Sequence, residues 1–120
     1  MDMTEKSLNV EGFVGPVRVS DSGRYLVDAA GRPFFWMGDT AWPLFSQYPL
    51  QDAVRYLQNR AAKGFTVIQG VLAWGSGTGM ENQQPHPNET GHRPWVETPD
   101  RPDPVYFEQV DRLLDEAERL

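Results

Sequence analysis

Three places in this chain hold side chains with the reach to do chemistry. The first is Asp39-Thr40-Ala41-Trp42, a carboxylate three residues before an indole. A carboxylate accepts hydrogen bonds from hydroxyl groups, and an indole offers an apolar ring face, a pairing that suits a sugar. Equally open is that Asp39 caps the turn Thr40–Phe45 and Trp42 serves packing, since aspartate is a favoured helix N-cap. The second is Gln69, a lone amide in an apolar run, with Trp74 following it. A buried amide needs partners, so Gln69 either lines a site or bonds a neighbouring strand. Trp74 is a stacking platform or a lid on the core. The third is the loop with His86, Glu89 and His92. Two histidines six apart match no common zinc spacing, so solvated loop residues are expected and no metal site is assigned. No HExxH pattern occurs, and Gly75-Ser76-Gly77-Thr78-Gly79 precedes no helix that would hold a phosphate. No cofactor is expected.

The elements that must position these residues follow from periodicity. Val17–Ser20 alternates apolar and polar, Asp21-Ser22-Gly23 is turn chemistry, and Arg24–Asp28 is a second strand, so a β-meander is expected from Val17 to Met37. Phe34–Gly38 is continuously apolar and predicts a strand covered on both faces. Within it Phe35, Met37 and Asp39 share one side; if that side faces a barrel interior, Asp39 emerges at the mouth.

Between Pro49 and Lys63 the period changes. Leu50, Ala53, Val54, Leu57 and Ala61 form one helical stripe, with Pro49 suited to the first turn and Gly64 to a left-handed stop. Phe65–Leu72 is a second apolar strand, so strand, helix and strand make a parallel βαβ unit. Residues 75–104 hold 4 of the 11 glycines and 6 of the 10 prolines, a long connection at the strand end where α/β folds place ligands. Asp103 then caps a last helix with Pro104 at its first position. Its expected apolar stripe is Phe107, Val110, Leu114 and Ala117, flanked by Tyr106, Leu113 and Leu120, with Glu108–Arg112 and Asp115–Arg119 as supporting pairs.

Composition removes several classes. The 120 residues carry 17 acidic and 11 basic side chains, a net charge of −6 that argues against a nucleic-acid partner. No apolar run approaches the roughly 18 residues of a membrane span, so no membrane partner is expected. Cysteine is absent, excluding disulfides and thiolate chemistry. Without a signal-peptide pattern, a cytoplasmic location is expected. Residues 1–16 read as a frayed terminus and 17–120 as structured. Two strands and two helices cannot cover both sheet faces, and Leu120 falls inside a periodic helix. The expectation is therefore a truncated α/β protein: a meander plus the first two β/α units of a larger fold.

Several of these stretches resemble the opening of the apiosidase-like glycoside hydrolases, long known as a domain of unknown function that often precedes a domain assigned to collagen binding. The resemblance runs through Val17–Asp28, Gly31–Trp42, Arg60–Gln69, Asn88, Gly91-His92-Arg93-Pro94, and Pro104–Asp111 with Tyr106-Phe107 and Val110-Asp111. It implies a TIM (β/α)8 barrel of which this chain is the N-terminal part, the remaining units being missing from it. It also implies hydrolysis of glycosidic bonds, with plant-type polysaccharide side chains as one substrate class. Such hydrolysis needs two carboxylates, about 5–5.5 Å apart for retention or about 6.5–9.5 Å for inversion. The resemblance puts them on later strands, so no catalytic residue is assigned here and the segment alone is expected to be inactive. Asp39, Trp42, Gln69, Trp74 and His92 are then the candidate substrate-binding residues. Residues 75–87 depart from the shorter, more acidic stretch of the family pattern, so the resemblance does not extend to substrate specificity. The alternative from another class is a non-catalytic carbohydrate-binding or structural module using Trp42, Trp74 and Trp95. A flavodoxin-like domain is disfavoured because no phosphate loop is present.

Overall fold

The computed structural model describes residues 12–73 and 85–120. It is a mixed α/β arrangement of two small sheets and two helices. Strands β1 (Arg18–Val19), β2 (Leu26–Val27) and β3 (Pro33–Phe34) form an antiparallel meander with Arg18 opposite Val27 and Leu26 opposite Phe34. Gly23 and Gly31, at φ +71° and +81°, make the two turns that join them. Asp28 locks the second turn. Its carboxylate accepts from the Ala30 and Arg32 amides at 3.0 and 2.9 Å and pairs with the Arg32 guanidinium at 2.8 Å. Upstream, the Ala29 amide donates to the Val14 carbonyl at 2.6 Å, so attached structure reaches back at least to Val14.

The apolar run Phe34–Gly38 is not one covered strand. Phe34 closes the meander, and a second strand, β4 (Gly38–Thr40), starts only after Met37. Phe35 and Trp36 between them are 71% and 59% exposed. Unbroken apolarity marks a covered strand and a strand–corner–strand equally well, and here two different pairing partners decide for the corner. Thr66 secures the new direction by donating its hydroxyl to the Phe35 carbonyl and accepting the Met37 amide at 2.9 Å.

Helix α1 (Leu50–Ala62) follows β4. Pro49 stands at its N-cap rather than its first turn, and the Pro49 carbonyl accepts from the Asp52 and Ala53 amides. At the other end the Gly64 amide bonds the Ala61 carbonyl and the Phe65 amide bonds the Arg60 carbonyl, with Gly64 at φ +85°. That pair of bonds is the Schellman motif, which satisfies carbonyls the last turn would otherwise orphan. Strand β5 (Val67–Gln69) then lies parallel to β4, with Gly38 opposite Val67, Asp39 opposite Ile68 and Thr40 opposite Gln69. The expected parallel βαβ unit is present.

Helix α2 (Pro104–Arg119) packs on α1. The core is Ala41, Leu44, Ala53, Leu57 and Leu113, with Ile68 and Phe45 against it. The buried face of α2 is Tyr106, Gln109, Val110 and Leu113, while Leu114 is 53% exposed. Both stripes have helical spacing, and docking on α1 selects the one rotated by a residue from expectation. The Glu108–Arg112 pair forms at 2.9 Å, whereas Arg119 pairs with Glu116 instead of Asp115.

Candidate functional site

The ends of β4 and β5 lie side by side, and the ladder continues past them: the Ala41 amide donates to the Gln69 carbonyl and the Val71 amide to the Trp42 carbonyl. Two independent contacts show which way each residue faces. Ile68 packs into the helix-side core, and a Cβ on Gly70 would stand 3.0 Å from the Phe45 ring. Residues 68 and 70 therefore face the helices. On the opposite face, a Cβ on Gly38 would stand 3.8 Å from the Val67 Cβ, so Gly38, Thr40, Val67 and Gln69 share the helix-free side. Thr40 and Gln69 are both exposed there.

Asp39 lies on the helix side. Its Oδ2 accepts the Tyr56 hydroxyl at 2.8 Å and lies 2.6 Å from the Arg60 Nε, while Oδ1 accepts the Thr40 amide at 3.0 Å. The Arg60 Nε–H is not aimed along that short contact, which makes it an ion pair by charge rather than a well-formed hydrogen bond. Arg60 is itself sandwiched, 5.1 Å from the Tyr56 ring centroid and 5.6 Å from that of Phe65. The Tyr56 hydrogen bond, helped by the Thr40 amide and the Arg60 charge, holds the Asp39 carboxyl below its ordinary pKa. Burial, with the hydrogen bond to Asp39, moves the Tyr56 phenol upward. Asp39 is thus an anion strutting β4 to α1.

A second arrangement gathers at the end of β5. The Tyr106 hydroxyl, fully buried near the start of α2, donates to the Leu72 carbonyl at 2.5 Å, and burial pushes its pKa up to about 12, which keeps it a donor. This bond brings the N-terminus of α2 to the end of β5. Asp103 serves twice there: Oδ1 caps α2 by accepting the Val105 amide at 2.9 Å, and Oδ2 meets the His92 Nδ1 at 2.7 Å. The His92 hydrogen bond holds the Asp103 carboxyl below its usual range. A carboxylate only accepts, so the His92 Nδ1–H is the donor in this contact. Asn88 shapes the approach to His92, its Oδ1 accepting the Thr90 backbone amide and its own backbone N–H donating to the His92 carbonyl.

Of the five candidate residues, Asp39 and Gln69 end up on adjacent strands but on opposite faces, and His92 is tied through Asp103 to the start of α2, which Tyr106 links to Leu72 beyond β5. Trp42 is 51% exposed just beyond β4. Trp74 lies outside the described residues, as does the glycine-rich run that follows it. Tyr56 and Arg60, Thr40 and the second role of Asp103 are additions from the structure. Tyr56 and Arg60 are four apart on one helix, a spacing that sets both side chains on one face but does not name Asp39 as their partner. Asp28, Asp39, Asp103 and Glu116 are all held below their ordinary pKa, so none of them is poised as a proton donor near neutral pH. Among the described residues no group of three His, Asp or Glu side chains could hold a metal ion, and no helix is long and apolar enough to cross a membrane.

A cleft of about 750 Å³ opens beside the β4–β5 pair, with Thr40, Gln69, Phe45, Leu114 and Ala117 among its walls. The fold that carries it is similar to part of the fold of two solved glycoside hydrolases. A glycoside hydrolase family 5 protein from Bacteroides vulgatus superposes with a TM-score of 0.68 at 24% identity, over 86% of this chain and 22% of that one. Another structure described as a glycoside hydrolase matches with a TM-score of 0.61 at 26% identity, over 88% of this chain and 23% of its own length. The chain thus spans less than a quarter of either structure. No curated protein matches it. The family model for the apiosidase-like catalytic domain matches residues 20–120, and the chain belongs to that family.

Proposed function

We propose that this chain is the N-terminal part of a glycoside hydrolase barrel, its meander and first two β/α units, acting on plant-type polysaccharide or oligosaccharide side chains. The observation that carries this reading is the apiosidase-like match across residues 20–120, which spans β2 through α2. The geometry is compatible with it. A parallel strand–helix–strand unit followed by a second helix is the repeat from which such barrels are built, and active sites there sit at the C-terminal ends of the strands. In that frame the helix-free face of β4 and β5 turns toward the barrel interior. The segment contributes walls of the site, and the acid and its partner carboxylate belong to strands beyond β5. Trp42 and His92, near the strand ends, join Gln69 in contacting the sugar.

The test compares two proteins: residues 1–120 alone, and the same residues continued through a whole barrel. Both are assayed for sugar release from plant polysaccharides and for sugar binding. Release by the whole barrel alone supports the reading. Binding without cleavage by both would favour a non-catalytic module, and cleavage by residues 1–120 alone would overturn the assignment of catalysis to later strands.

A further inference from the structure

We infer that Thr40 and Gln69, paired across the β4–β5 register on the helix-free face, form a two-residue hydrogen-bonding ledge for adjacent sugar hydroxyls; the inference rests on the hydrolase reading above. The register sets Thr40 directly opposite Gln69, and each is the last residue of its strand. Neighbouring strands lie about 4.8 Å apart, so the two side chains stand abreast at the spacing needed to reach neighbouring groups on one sugar ring.

The face is established from both sides. Ile68 and the Gly70 position meet the helix-side core, and Asp39 is drawn to the same side by Tyr56 and Arg60. Alternation then leaves Thr40 and Gln69 on the other face. Interior positions of a parallel barrel are normally filled by branched apolar side chains. A hydroxyl beside an amide at the strand ends breaks that pattern where a substrate sits. Together they supply an O–H that donates and accepts, an N–H2 donor and a C=O acceptor, which matches hydroxyls that also do both. One layer below, Gly38 contributes no side chain, and the Trp36 Nε1 lies 3.5 Å from where its Cβ would be, so the indole closes the space beneath the ledge. Of the strand Gly38-Asp39-Thr40, the ligand-facing group is therefore the threonine and not the aspartate.

The experiment uses the whole barrel and a panel of 4-nitrophenyl pentosides and hexosides that includes the apioside. Thr40→Val keeps the branched shape and removes only the hydroxyl; Thr40→Ser keeps the hydroxyl; Gln69→Leu removes the amide. Thr40→Val and Gln69→Leu are expected to lower kcat/KM roughly tenfold each, mainly through KM, with the melting temperature of Thr40→Val unchanged and Thr40→Ser restoring activity. Parent-like KM and kcat in both Thr40→Val and Gln69→Leu overturn the ledge while leaving the hydrolase reading intact. A loss in Thr40→Val that Thr40→Ser does not restore also overturns it. A parent protein that neither cleaves nor binds any of these glycosides removes the hydrolase reading, and the ledge falls with it.

Discussion

The Tyr56 hydroxyl donates to Asp39 Oδ2 at 2.8 Å, and this bond, with the Arg60 guanidinium beside it, turns the carboxylate of β4 toward α1. It ties the strand to the helix that follows it by side chains 17 residues apart. Tyr56→Phe deletes the hydroxyl and keeps the ring on which Arg60 rests. The variant is expected to melt a few degrees below the parent, with the Asp39 carboxyl pKa moving back toward its ordinary value. A thermal melt and a carboxyl titration by NMR check both parts, and an unchanged melt together with an unchanged titration would show that Arg60 alone holds the carboxylate.

Acid sensitivity follows from the same kind of contact repeated. Asp39 is lowered chiefly by Tyr56, Asp103 by His92 and Glu116 by Arg119. Burial pushes Asp28 up, but the Arg32 and Val14 amides and the Arg32 charge bring it below its ordinary value on balance. A carboxyl with a folded pKa below its unfolded one binds fewer protons when folded, so its contribution is present above the unfolded value and is lost as pH falls through the folded one. The unfolded values are 3.8 for aspartate and 4.5 for glutamate. Unfolding free energy measured by denaturant from pH 7 to pH 3 is expected to stay level to about pH 5 and to fall below it. Asp28→Asn should make that fall shallower, and a slope identical to the parent's would mean that Asp28 titrates alike folded and unfolded.

Asp103 separates two roles that one carboxylate performs. Asp103→Ser retains an N-cap acceptor for the Val105 amide but is too short to hold His92, whereas Asp103→Ala loses both. Helicity by circular dichroism is expected to be kept in the serine variant and reduced in the alanine one. In both, the His92 ring should lose the imidazole shifts of an Nδ1–H held by a carboxylate. Parent-like imidazole shifts in the serine variant would show that Asp103 does not orient the histidine.

How much of this was legible beforehand differs from residue to residue. The limits of α1 could be read closely because Lys63-Gly64 combines a period break with a residue suited to φ +85°. The Asp103-Pro104 start of α2 was equally clear, since a cap and a proline coincide there. Asp39 was different. Period-two alternation groups it with Met37 but does not say which face looks toward the helices, and Tyr56 and Arg60, which decide that, are distant in sequence. The break in Phe34–Gly38 was hidden for a related reason: apolar character records that a segment avoids water, not which neighbour it pairs with.

The face of α2 offers a direct measure of such a choice, because two apolar stripes compete on one helix. Leu113 is 1% exposed within the core, while Leu114, next to it, is 53% exposed on the wall of the open cleft. Leu113→Ala should therefore cost about 2–5 kcal/mol, since the lost contacts with Leu57 and its neighbours leave a cavity. Leu114→Ala in residues 1–120 should change stability by less than about 0.5 kcal/mol, because its side chain already faces water. In a whole barrel the comparison shifts. If further strands fill the cleft, Leu114 becomes a packing residue there and Leu114→Ala acquires a cost approaching that of Leu113→Ala. Urea unfolding of both variants in both lengths tests this. A Leu114→Ala effect that stays near zero in the longer protein would show that the cleft beside β4 and β5 remains open and is not where later elements dock.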